Sequence, residues 1–95
     1  PMVEVLRHPM DARAHLAMAN ACAAAKALVF EGVELRFAVS LDPSLLDERM
    51  RLAKNLLENG KPEAARRDLV RLLDDARGAP IEGEVRALHA RAFER

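Results

Sequence analysis

The sequence predicts an all-α fold, built as a series of antiparallel helical hairpins. Three observations predict it. Apolar residues from Leu45 to Leu57, and again from Ala64 to Ala76, recur at spacings of three and four, the mark of an amphipathic helix. Nine of the 16 residues from 12 to 27 are alanine, the best helix former. Between the two amphipathic stretches stands "NGKP", residues 59–62, which stops one helix and starts another.

Each element follows from local chemistry. Pro9 bars a helix from continuing out of the preceding residues, and Asp11 is a fitting N-cap, so a helix is expected over Ala12–Leu28. Gly32–Leu41 is ambiguous. Val33, Leu35, Phe37 and Val39 alternate with Glu34, Arg36, Ala38 and Ser40 as in a strand. Yet Val33, Phe37 and Leu41 also fall at i, i+4 and i+8, as on a helix. In the next stretch Leu45, Leu46, Met50, Leu52, Ala53, Leu56 and Leu57 form the apolar positions of a helix. Asn59-Gly60 ends it, because glycine takes the left-handed conformation of a helix C-terminus. Pro62 then suits the first turn of a new helix, where its missing N–H costs nothing. Ala64, Ala65, Leu69, Leu72, Leu73 and Ala76 form the stripe of that helix, and Arg77-Gly78 closes it. The turn between the two makes an antiparallel pair. Val85, Leu88, Ala92 and Phe93 place a last helix within Ile81–Arg95.

Composition narrows the function. The chain has 95 residues, with three Phe and neither Trp nor Tyr, so the core must be aliphatic and alanine-rich. Fifteen basic and 15 acidic residues cancel, so there is no basic field to draw nucleic acid or anionic lipid. Residues 1–44 hold 9 of the 30 charged residues. The first half is therefore apolar on more than one face and needs cover, from the second half, from preceding chain or from a partner; a homodimer is one form of it. The longest near-apolar run, Ala21–Phe30, is too short to span a membrane. No signal peptide is visible, and the lone Cys22 fits a reducing compartment, so a cytoplasmic location is expected.

A repeat organises these elements. Pro9 and Pro43 each precede a helix and stand 34 residues apart. At that offset Leu16 meets Met50, Met18 meets Leu52, Ala19 meets Ala53, Cys22 meets Leu56, Leu35 meets Leu69 and Ala38 meets Leu72. A period of 34 with paired helices, and the pattern Leu52, Ala53, Leu56, Gly60, Ala65, Leu69, resembles the tetratricopeptide repeat (TPR) family. The first copy offers His15, Met18, Ala19, Cys22, Glu31, Leu35 and Ala38, and closes with "SLDP". Neither copy has the large aromatic of the family's first motif position, and the first has Lys26-Ala27 where a turn glycine is expected. The resemblance implies a right-handed array, with the end of a preceding repeat helix at 1–8, repeat one at 9–42, repeat two at 43–77 and a capping helix at 80–95. The chain would then be the C-terminal piece of a longer repeat protein. The stretch from Leu41 to Leu69 is also similar to the C-terminal repeats of bacterial thioredoxin-like co-chaperones.

In that family the first helix of each repeat lines an inner groove that binds peptides or partner helices. With repeats beginning at Ala12 and Leu46, the resemblance places Arg13, Leu16, Asn20, Ala23 and Ala24 there, and then Asp47, Met50, Lys54, Leu57 and Glu58. Arg13, Asn20 and Lys54 are of the type that clamps a peptide's terminal carboxylate. Leu16, Met50 and Leu57 suit an apolar contact. The expected partner is thus a protein or peptide, and the expected function a non-enzymatic interaction module with no cofactor.

Little in the sequence points to chemistry. His8, His15 and His89 are the only imidazoles, and no zinc-ligand spacing occurs. Asp74-Asp75 and Arg66-Arg67 are neighbours that diverge on a helix, whereas Glu63 and Arg67 form a helix-supporting i, i+4 pair. One enzymatic alternative stands. Pro1 has a secondary amine that could act as a base. "PMVEVLR", a helix and then "VELRFAVS" resemble the β-α-β unit of the tautomerase superfamily, which implies strands near 2–7 and 33–39.

Overall fold

A computed structural model describes residues 11–94. Within them the chain is all-helical: five helices take 77% of the described residues, and no strand occurs among them. The helices are α1 (Ala12–Ala24), α2 (Leu28–Leu41), α3 (Leu46–Glu58), α4 (Pro62–Asp75) and α5 (Glu82–Ala92). They fall into two compact units, the first ending at Leu45 and the second beginning at Leu46. The helix end expected at 1–8, the strand expected near 2–7 and the Pro1 amine lie outside the described residues.

The first unit is the hairpin α1–α2. Asp11, with extended backbone, accepts a hydrogen bond from the Arg13 N–H at 2.9 Å and so caps α1. The helix ends four residues short of the predicted Leu28. Its stop is Lys26, in the left-handed region at φ 58°. The Ala27 N–H donates to Cys22 O at 2.8 Å and the Lys26 N–H to Ala23 O at 3.0 Å, the two bonds of a Schellman motif. α1 buries Ala14, His15 and Ala19; α2 buries Gly32, Leu35, Ala38 and Val39. These residues are mostly small, which suits close approach of the two backbones.

α2 corrects the strand alternative over 33–39. Its residues alternate because the helix is apolar on two opposite faces. Leu35, Ala38 and Val39 are buried, while Val29, Phe30, Val33 and Phe37 remain about half to two-thirds exposed. Summed around the helix, the two stripes leave little polar surface, and the local pattern fits a strand as well as a helix. Packing on α1 selects the helix.

The second unit is the hairpin α3–α4 with α5 laid against it. Its core gathers Met50 and Ala53 from α3, Leu69 and Leu72 from α4, Ala76 just beyond it, and Val85, Leu88 and Ala92 from α5. Burying each of the larger aliphatic side chains stabilises the fold by about 1.5–3 kcal/mol. Arg49 reaches Asp75 at 2.8 Å, tying the start of α3 to the end of α4. Arg66 donates from Nε to the Ala92 carbonyl at 2.7 Å and lies over the Phe93 ring, which holds the C-terminus of α5.

The turn between α3 and α4 repeats that of the first unit. Gly60 is left-handed at φ 72°, the Lys61 N–H donates to Leu56 O at 2.8 Å, and the Gly60 N–H donates to Leu57 O at 3.3 Å. Lys26 and Gly60 are 34 residues apart. So are the first and last residues of α1 and α3, and those of α2 and α4. The fully buried pairs Ala19 and Ala53, Leu35 and Leu69, and Ala38 and Leu72 keep the same spacing.

Candidate functional site

The residues proposed to line a binding face sit on α1 and α3, and their placement follows from helix geometry. On α1, Arg13, Leu16, Asn20, Ala23 and Ala24 fall within about 100° of one another around the axis. None of the five is buried. The opposite side carries Ala14, His15 and Ala19 into the contact with α2. Arg13 is 90% exposed at its side chain, and its guanidinium lies 3.5 Å from Asp11. Leu16 is half-buried, flanked by the exposed Arg13 and Asn20. This face is apolar at its middle, basic at one end and carries an amide two turns on.

On α3 the corresponding face is more polar. Asp47, Lys54 and Glu58 are exposed, and Leu57 is half-buried against the core cluster. Met50 is different: it is 5% exposed and belongs to the core of the second unit. Its side chain cannot meet a partner on the surface. It shares that core with Leu69 and Leu72 of α4 and with Val85, Leu88 and Ala92 of α5.

Two features escaped the sequence. One is an inter-helix polar contact in the first unit. His15 is buried, and its Nδ1 lies 3.1 Å from Glu34 Oε1, with the ring stacked on Phe37 at 5.0 Å between centroids. These residues are 19 and 22 positions apart, beyond any local pattern. The other is a groove between α4 and α5, floored by Val70 and Leu73 and edged by Arg77, Arg86 and His89. Both arginines are already engaged, Arg77 with Asp74 and Arg86 with Glu82, each at 2.6 Å. Only the exposure of Val70 against the stripe of α4 could have hinted at it.

Electrostatics perturb Glu82. The Gly78 N–H donates to Glu82 Oε1 at 3.0 Å, and with the Arg86 guanidinium it holds the Glu82 carboxyl below its ordinary range. Glu82 thereby locks the loop before α5 to the first turn of that helix. Cys22 is half-buried and unpaired with any other thiol. No group of three potential metal ligands gathers among the described residues. No described helix is long and apolar enough to cross a membrane.

No family model matches this sequence, and no match was found among curated proteins or solved structures.

Proposed function

We propose that this chain is a non-enzymatic protein-interaction module, and that it takes an extended peptide or a partner helix along the outward face of α1; the matching face of α3, in the second unit, is a candidate contact in its own right. The observation that carries the reading is the division of α1 into two sides. Its small buried side faces α2, and Arg13, Leu16 and Asn20 stand together on the other. The 34-residue recurrence of helix ends, turn geometry and buried positions supports the TPR resemblance on which those residues were chosen. On α3 the contact falls to Lys54 and Leu57, since Met50 belongs to the core. Leu16 supplies the apolar anchor of the α1 face, with Arg13 and Asn20 suited to a carboxylate; on the α3 face that group is Lys54.

A random-peptide display selection on the purified chain tests this. Selected peptides should shift the NMR signals of Arg13, Leu16 and Asn20. They should lose at least tenfold in affinity on Leu16→Glu, and those ending in a free carboxylate should weaken on Asn20→Ala or, where they bind the second unit, on Lys54→Ala. If binding peptides shift only residues elsewhere, or ignore Leu16→Glu, the site is wrong.

A second reading, homodimerisation, is favoured by the exposed stripe of α2. Val29, Val33 and Phe37 lie one turn apart, with Phe30 beside them. Such a helix, apolar on both sides, is normally covered on both. Sedimentation across a wide concentration range tests it: a dimer abolished by Phe30→Lys with Phe37→Lys supports the reading, and a monomer throughout removes it.

A further inference from the structure

We draw no further inference here: the strongest candidate, the exposed apolar stripe of α2 formed by Val29, Phe30, Val33 and Phe37, already serves the second reading above, and nothing in the structure shows what covers it.

Discussion

Replacing Lys26 by glycine should stabilise the first unit, and replacing Gly60 by lysine should destabilise the second by a similar amount. The two positions close the same motif in the two hairpins, with φ 58° at Lys26 and 72° at Gly60. A residue with a Cβ in the left-handed region costs about 1–2 kcal/mol. Glycine removes that cost but gives the unfolded chain more freedom, worth about 0.4–1 kcal/mol. The difference leaves a net gain of roughly 0.5–1 kcal/mol for Lys26→Gly. Crowding does not complicate the reverse change, because a Cβ at Gly60 would meet nothing within 4 Å. The sites lie in different units, so the effects should add in the double swap. Urea unfolding followed by circular dichroism reads the sum. Amide exchange in α1 and α2, against that in α3 and α4, assigns each effect to its unit. A Lys26→Gly chain whose midpoint stays put or falls would refute the reasoning, since it would mean that residue 26 is not held left-handed in solution.

Other outcomes can be checked alongside. Removing one partner of the His15–Glu34 contact, by Glu34→Ala, should cost about 1–3 kcal/mol, because a buried imidazole nitrogen loses its acceptor. The double variant His15→Leu with Glu34→Leu should recover much of that in the same urea assay. For Glu82 the sign is that of a depressed carboxyl. Its contribution is present above its ordinary value of 4.5 and is lost as pH falls through the lower folded value. α5 should therefore loosen in acid more steeply in the native chain than in Glu82→Gln, as read by amide exchange across Glu82–Ala92. A cysteine at Val33, in a Cys22→Ser background, should react readily with a thiol reagent, whereas one at the fully buried Leu35 should be protected. Slow labelling at Val33 in a monomer would show the stripe covered by the chain itself. Leu72→Ala, at a fully buried core position, should cost about 2–5 kcal/mol in urea unfolding.

Much of the second unit was legible because its signals are local and agree with one another. The stripes of α3 and α4 are one-sided, glycine and proline mark the turn between them, and each residue's fate follows from its angle on the helix. The candidate face on α1 was legible for the same reason, since alanine density sets the helix and spacing sets which residues share a side. Met50 was misjudged as a surface residue for a reason no spacing reveals. Its angle on α3 matches that of Leu16 on α1, but Met50 packs into a cluster with residues of α4 and α5 that lie far along the chain.

What the sequence by itself determined is therefore the helices on either side of α2 and the 34-residue register that relates the repeats. Helix propensity, capping and periodicity act over a few residues and do not need the fold. Tertiary structure decided three things. It made α2 a helix, because a segment apolar on both faces has no preferred period until one face is packed. It placed Lys26 in a conformation its side chain disfavours, because the bonds closing the hairpin outweigh about 1–2 kcal/mol of local strain. It also set His15 beside Glu34 and Phe37, since contacts between residues far apart in the chain exist only after the helices have been brought together.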